Sequence, residues 1–301
     1  SGIKVISAER ESTDERAALG FYSKYTKEKV RLPEPKDEDL FFYELEKICG
    51  TKFPAVCPVG IDTIITMCKN QERLSEMADF ILPDYDDFCT ANDKTKLIEH
   101  AGNIGIPVPD TTTLKENESI TDLSERIDYP CLIKYREGEL LKLDPKDRYA
   151  LVKNSGEFIA KFTEMHKRQL YPLVQEYVKG EGFGVSAVFD VNNEPYTLFC
   201  HRRIREYPAS GGPSCFCESA WDAELAGYAV KLLKSLNWRG VAMVEFKGSP
   251  ETGYKLMEIN PRFWGSNALA PISGCNIALA YYDCACGKKA DKDLLSGPRY
   301  K

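Results

Sequence analysis

Glu245, Glu258 and Asn260 lie in two short apolar runs, GVAMVEF (240–246) and KLMEINPRF (255–263). Between the runs lies GSPETG (248–253), a turn signal, so the whole reads as a β-hairpin. Side chains alternate faces along a strand. Val241, Met243 and Glu245 are therefore expected on one face of the first strand, and Leu256, Glu258 and Asn260 on one face of the second. Closing the hairpin around Pro250-Glu251 brings Glu245 opposite Glu258 or one diagonal step away, where neighbours sit ~5 to 8 Å apart. Two carboxylates about 5 Å apart repel by roughly 3 kcal/mol at an effective dielectric of ~20. A hard divalent cation relieves that repulsion, and carboxylate and amide oxygens are the ligands it takes. The same residues read equally well as a half-exposed hairpin with solvated acids.

Other residues weigh on the choice. Lys134 sits in the apolar run CLIKY, so its ammonium either snorkels outward or is aimed at an anion. Lys94 opens a helical pattern at residue 93, where backbone N–H groups already favour negative charge. Each alone reads as a surface lysine. Together, ahead of an acidic hairpin, they suit a polyphosphate whose cation the carboxylates hold. The run LVQEYVKGE (173–181) ends in an extended, glycine-terminated segment whose free backbone groups suit a purine edge, with Glu176 or Glu181 accepting from amino or ribose groups. It is equally an ordinary strand between domains. His201, Arg202, Arg203 and Arg205 form the densest basic cluster, ahead of Gly211-Gly212 and Ser214. That pattern is an anion site or a solvated edge strand. Arg262 follows Asn260 by two residues, within reach of phosphate oxygens beside a bound ion.

The elements that must position these groups alternate. GIKVISAE is a buried-strand pattern, LFFYELEKICG a helical one, PAVCPVG a short strand and IDTIITMCKNQERLSEM a helix. Such alternation implies βαβ units and a parallel sheet. The first strand begins almost at residue 1, so this domain is expected to be reduced or to continue upstream. PDYDDFCTAN (83–92) reads as a linker. Then come the helix from Asp93, the segment IPVPDT, helix ITDLSERI, strand YPCLIKY, loop REGELLKLDPKDRY, strand ALVKN, helix SGEFIAKFTEMHKRQL and strand LVQEYVKG. Strands EGFGVSAVFD and EPYTLFCHRRIREY flank a turn at Asn192-Asn193, and helix DAELAGYAVKLLKSLN precedes the hairpin. A last apolar helix, CNIALAYYDCACG, leaves two packings open: on its own core, or on a second copy as a homodimer.

The chain has 301 residues, net charge −6 and 43% hydrophobic residues, the composition of an ordinary globular protein. No Lys/Arg block points to nucleic acid or a membrane surface, no apolar run reaches the ~18 residues of a span, and no dinucleotide-type G-x-G-x-x-G occurs. Eleven cysteines, an odd number scattered through apolar runs, suit reduced thiols in the cytoplasm. The pairs Cys215/Cys217 and Cys284/Cys286 lack the C-x-x-C spacing of structural zinc sites.

The order DK at a helix start, YPCLIK, VQEYVKG, VEF and MEINPR resembles the ATP-grasp superfamily of carboxylate–amine ligases, over about residues 83 to 285. The chain is similar to both carbamoyl-phosphate-synthase-like and D-aspartate-ligase-like members. The resemblance implies a pre-ATP-grasp α/β domain at 1–82, a small lid subdomain at 83–174 and a large subdomain at 175–301 carrying the metal site. It implies that Lys94 and Lys134 contact ATP phosphates, and that Gln175, Glu176, Tyr177 and Val178 form the adenine hinge. By it Glu245, Glu258 and Asn260 hold magnesium (or manganese), and Arg262 contacts the transferring phosphate. Two departures stand out. The lid loop has one glycine, Gly138, so Lys142 is expected to take part. The usual ribose-binding Glu position is Gly182, which leaves Glu181 for the ribose. Arg202, Arg205 and the Gly211-Gly212 loop are candidates for a substrate carboxylate. The implied activity joins a small-molecule carboxylate to an amine through an acyl phosphate. The alternatives are phosphorylation of bicarbonate or carbamate, and a nucleotide-binding module without ligase activity.

Overall fold

The computed structural model describes residues 2–50, 52–136, 141, 143–207 and 214–289. The chain divides into two units, Ser1–Phe80 and Ile81–Lys301. In the first, strands β1 (Val5–Arg10) and β2 (Thr26–Leu32) pair in parallel. Helices α1 (Glu38–Cys49), α2 (Ile61–Lys69) and α3 (Gln71–Ser75) follow. Helix α1 buries Phe41, Phe42, Leu45 and Cys49, one stripe at helical spacing. Three expectations change here. Strand β1 is not buried, since Val5 and Ile6 are 42% and 38% exposed. The run PAVCPVG forms a single parallel bridge, Ala55 to Asp79, because its prolines cannot donate to a ladder. The stretch from Ile61 breaks into two helices at Asn70, whose φ and ψ of −122° and 37° leave the helical region.

The second unit opens with α4 (Tyr85–Asn92) and α5 (Lys94–Asn103). Helix α4 occupies the stretch expected to be a linker. Its acids, Asp86 and Asp87, fall in the first helical turn, where they complement the dipole, and Phe88 and Ala91 are buried. Then come β3 (Thr111–Thr112), α6 (Ile120–Glu125), β4 (Cys131–Lys134), β5 (Tyr149–Val152), α7 (Ser155–Arg168) and β6 (Leu173–Glu176). The four strands form an antiparallel sheet in the order β3-β6-β4-β5. Cys131, Ile133, Val152 and Val174 point into one core with Phe158 and Phe162. Alternation therefore puts Leu132, Lys134 and Gln175 on the opposite face.

A larger antiparallel sheet follows, built from β7 (Glu181–Phe189), β8 (Pro195–Glu206), β9 (Ser214–Ser219), β10 (Gly240–Ser249) and β11 (Gly253–Asn260), with α8 (Ala223–Ser235) between β9 and β10. The order is β11-β10-β7-β8-β9. Helix α8 buries Leu225, Ala229, Leu232 and Leu233 and packs on β7 and β8. After α9 (Leu269–Ile272), helix α10 (Ile277–Ala285) buries Ile277, Ala280, Tyr281 and Cys284 in a core with Val188, Phe199, Val241 and Met243. The last apolar helix thus packs on its own core. The fold is an α/β unit with parallel pairing followed by two antiparallel sheets. All eleven cysteines are free thiols, six of them buried. Among the described residues, no helix is long and apolar enough to cross a membrane.

Candidate active site

The hairpin expected at 240–260 is β10 and β11, and Glu245 pairs directly with Glu258, Met243 with Asn260. A β-bulge interrupts the ladder: Glu245 opposes Glu258, while Phe246 opposes Leu256, leaving Met257 as the extra residue. Paired residues of an antiparallel ladder share a face, so Leu256 lies with Phe246 on the far face, not with Glu258 as alternation alone suggested. Leu256 is fully buried there. The bulge is what allows a buried leucine and a cleft-facing acid to stand two residues apart.

The two acids floor a cleft of about 460 Å³. Its lining carries seven Lys or Arg side chains against three Glu, in a protein whose net charge is −6. Lys94, the first residue of α5, places Nζ 2.7 Å from Glu258 Oε2. It is positioned by Asp93, whose carboxylate caps the helix by accepting from Thr95 and Lys96 backbone N–H groups. Lys134, on the cleft face of β4, donates to Gln175 Oε1 at 2.6 Å. Gln175, 3% exposed, donates in turn to Thr111 Oγ1. Asn260 Nδ2 donates to Glu245 Oε1 at 2.8 Å, and Arg203 forms an ion pair with the same carboxylate.

These contacts tilt the ionisation of each group. Burial pushes the Glu258 carboxyl up, but Lys94, then Lys134 and Arg203, outweigh it and hold the group down at about 2. Burial pushes Glu245 up, Arg203 pulls it back, and the Glu258 charge adds to the rise; the net shift is upward. Burial, then the neighbouring Lys94 ammonium, brings Lys134 down to about 8.

Of the basic cluster it is Arg203 that lines the cleft, not Arg202 or Arg205, the two expected to meet a substrate carboxylate. Register shifts on either side of Arg205 rotate it outward, where it is exposed, and bring Glu206 toward Arg203 instead. Arg202 faces away and pairs with Glu181 and Glu218. Arg203 crosses the middle strand to reach Glu245 because Gly182 and Gly184 of β7 leave room: Gly182 pairs with Arg203, and Gly184 with both His201 and Glu245. A Cβ on Gly184 would lie 2.2 Å from His201 Cε1. His201 is 1% exposed, and burial, then Arg203, lowers its pKa to about 4, so the ring is neutral. The signal available in the sequence was EGFG, on the strand that pairs with VEF, a gap in the middle of an otherwise bulky sheet.

Of the expected nucleotide residues, Tyr177 lines the cleft beneath Lys247, whose Nζ lies 5.4 Å from the ring centroid. Val178 is buried. The Glu176 carboxylate accepts from Lys255 Nζ at 2.6 Å and from the Asp110 N–H at 3.1 Å. Glu181 is exposed and held by Arg202 at 3.0 Å, outside the cleft lining. Arg262 lines the cleft and donates to the Phe263 carbonyl. Arg136, Arg148 and Lys247 also line it and were not singled out from sequence. Gly138, Lys142 and Gly211-Gly212 lie outside the described residues.

The donor set fits a hard divalent cation. Glu245, Glu258 and Asn260 converge, offer oxygen ligands only, and already attract two protein cations. Among the described residues there is no cluster of three His, Cys, Asp or Glu, so the third ligand of such a site is an amide.

A family model described as an ATP-grasp domain matches residues 91–266. No curated protein matches the chain. Among solved structures, the biotin carboxylase domain dimer of Hydrogenobacter thermophilus 2-oxoglutarate carboxylase, in complex with MgADP, ADP and bicarbonate, is 15% identical with a TM-score of 0.68. It covers 98% of this chain and 67% of its own. An L-amino acid ligase from Bacillus licheniformis is also 15% identical, with a TM-score of 0.67 over 98% of this chain and 70% of its own. The D-alanine–D-alanine ligase of Coxiella burnetii, 15% identical, gives 0.60 over 76% and 66%. At such identities the likeness is one of fold.

Proposed function

The chain belongs to the ATP-grasp domain family, and from that premise we propose that it is an ATP- and magnesium-dependent ligase joining a small-molecule carboxylate to an amine. The observation that carries the reading is the pair of opposed carboxylates, Glu245 and Glu258, set in a cleft otherwise dominated by Lys and Arg. A ligand that is anionic and accompanied by a cation matches both features.

In this proposal ATP lies between a lid subdomain (83–174) and a large subdomain (175–301), after the domain at 1–82. Lys94, Lys134 and Arg262 bind its phosphates, and the backbone of 175–178 meets the adenine. Glu245, Glu258 and Asn260 would hold magnesium, which would supply neutralisation of phosphate charge. A substrate carboxylate oxygen bonds to the γ-phosphorus as the bond to the bridging oxygen breaks and ADP leaves. The amine then forms the C–N bond, and phosphate leaves with the acyl C–O electron pair; the amine proton passes to solvent. The chain's residues position and neutralise; no protein nucleophile takes part. Arg203, rather than Arg205, is the guanidinium facing that reaction. The cytoplasm is the compartment we propose, supported by the eleven free thiols.

Phosphate release from Mg·ATP, measured with pooled amino acids and other carboxylates, tests the proposal. Release that requires both a carboxylate and an amine supports it. Release with bicarbonate alone points to carbonate phosphorylation. Thermal stabilisation by Mg·ATP without release under any condition points to a binding module.

Lys134 adds a pH dependence with a definite sign. It binds phosphate as the ammonium, and its pKa before ligand arrives is about 8. Nucleotide affinity is therefore expected to be flat below pH 7 and to fall by up to about tenfold per pH unit above 8. In Lys134→Arg, the guanidinium stays charged and the fall should vanish. Calorimetric titration with a non-hydrolysable ATP analogue between pH 6.5 and 9.5 reads both.

A further inference from the structure

We infer that Arg203 and Lys94 are resident counter-ions of Glu245 and Glu258, which an incoming divalent cation must displace, so that the cation enters efficiently only with the polyphosphate that receives them. This rests on the reading proposed above and goes beyond it: it assigns Arg203 a positioning role and fixes the order of charge exchange.

Four observations carry it. First, each carboxylate holds its own protein cation: Lys94 Nζ is 2.7 Å from Glu258 Oε2, and Arg203 Nη2 is paired with Glu245 Oε1. Second, Asn260 donates its amide N–H group to that same Oε1. The amide thus turns its nitrogen, not its Oδ1, toward the carboxylate and adds a further donor to the oxygen that Arg203 already holds. Third, Arg203 is brought to Glu245 by construction. Its side chain is 13% exposed and crosses the gap at Gly182, where an added Cβ would lie 3.0 Å from Arg203 Cδ. Fourth, Arg203 Nε is buried with no hydrogen-bond partner among the described residues, so the guanidinium is only partly satisfied where it stands.

A divalent cation seated between the carboxylates meets an ammonium and a guanidinium at contact range. These repel it and occupy the oxygens it needs. A triphosphate offers Lys94 and Arg203 new oxygen partners, and the carboxylates are released to the metal. The exchange replaces two protein ion pairs by two cation–phosphate pairs and two metal–carboxylate pairs. Linkage requires the effect to be reciprocal: the cation must raise nucleotide affinity by the factor with which the nucleotide raises cation affinity.

The test uses the full chain and Mn²⁺ as the probe, followed by electron paramagnetic resonance at one fixed pH for all variants. Arg203→Met is expected to bind Mn²⁺ alone about tenfold or more tighter than wild type, while the tightening that a non-hydrolysable ATP analogue confers shrinks by a similar factor. Lys94→Met, a second variant that leaves the buried pair on Glu245 intact, is expected to move both quantities in the same direction. If Arg203 merely props up Glu245, both variants bind Mn²⁺ more weakly than wild type, and the inference is overturned. It is also overturned if both keep wild-type affinity and coupling. Absence of any Mn²⁺–nucleotide binding by wild type sinks the proposed function together with this inference, whereas tight binding without a variant effect sinks this inference alone.

Discussion

Glu258→Ala is expected to lower nucleotide-dependent phosphate release by at least ~10²-fold, about 2.7 kcal/mol or more of transition-state stabilisation, while the fold survives. Glu258 is the hub of the cleft's electrostatics. Lys94 holds it directly, Lys134 and Arg203 act on it through space, and together they keep it ionised far below the usual carboxylate range. In the proposed function it is also one of two carboxylates that hold magnesium. Removal leaves Glu245 and an amide, too little negative charge to retain the ion against Lys94, Lys134 and Arg203. The folding cost is modest because the Glu258 and Lys94 side chains stay 34% and 26% exposed, and water can solvate the ammonium that remains. Melting curves that nearly superimpose, alongside lost phosphate release at saturating magnesium, would fit this account. Release at the parental rate would remove Glu258 from the chemistry.

How much of this was readable in advance depends on whether a feature is local. The hairpin was legible because period-two patterning and a Gly/Pro turn are properties of twenty contiguous residues. So was the facing of Glu245 and Glu258, which follows from the turn. The bulge at Met257 was not, because which strand accommodates an extra residue depends on how both ladders of β10 are satisfied, on β7 as well as β11. Its consequence, Leu256 on the far face, could not be had from alternation. Arg205, named with Arg202 for a substrate carboxylate, stands outside the cleft lining for a related reason: the register shifts between β8 and β9 that flank it are set by pairing across strands, which local sequence does not carry.

Other misreadings are of a different kind. The acids of PDYDDFCTAN look like loop composition, yet they are what the first turn of α4 prefers, and the deciding signal was the buried Phe88 and Ala91 three apart. The sequence offers Glu176 as an acceptor because it lies on an extended, glycine-terminated segment; its partner in the structure, Lys255, is 79 residues away. Charge pairs between distant segments decide which polar groups are available, and a single sequence does not carry that pairing.

The same long-range geometry sets a large stability effect at Gly180. This residue follows the 175–178 segment and has φ of +119°, a conformation that side chains rarely adopt. A Cβ there would lie 2.6 Å from the Gly248 carbonyl oxygen and 2.7 and 2.8 Å from Gly248 C and Cα. All three are backbone atoms of β10, so no side chain can turn aside. The contact also has neighbours of the same sense: Lys255 binds Glu176, and Lys247 lies over Tyr177. Three successive links thus fasten the segment proposed to meet adenine onto the β10–β11 hairpin. Gly180→Ala must either distort β10 or lift that segment away. Overpacking of this kind costs roughly 1 to 3 kcal/mol, and the unfavourable φ adds about 1 to 3 more. A loss of ~3 kcal/mol corresponds to a Tm lower by about 6 to 12 °C for a unit of this size. Nucleotide affinity should fall with it, since the lifted segment no longer faces the cleft that Tyr177 lines. Gly227→Ala, in the middle of α8 with nothing within 4 Å of the added Cβ, supplies the opposite sign: helix propensity predicts a gain of up to about 1 kcal/mol. Calorimetry on both variants distinguishes a site-specific close approach from a general intolerance of glycine replacement, and equal melting temperatures for the two would contradict the fastening of the segment at Gly248.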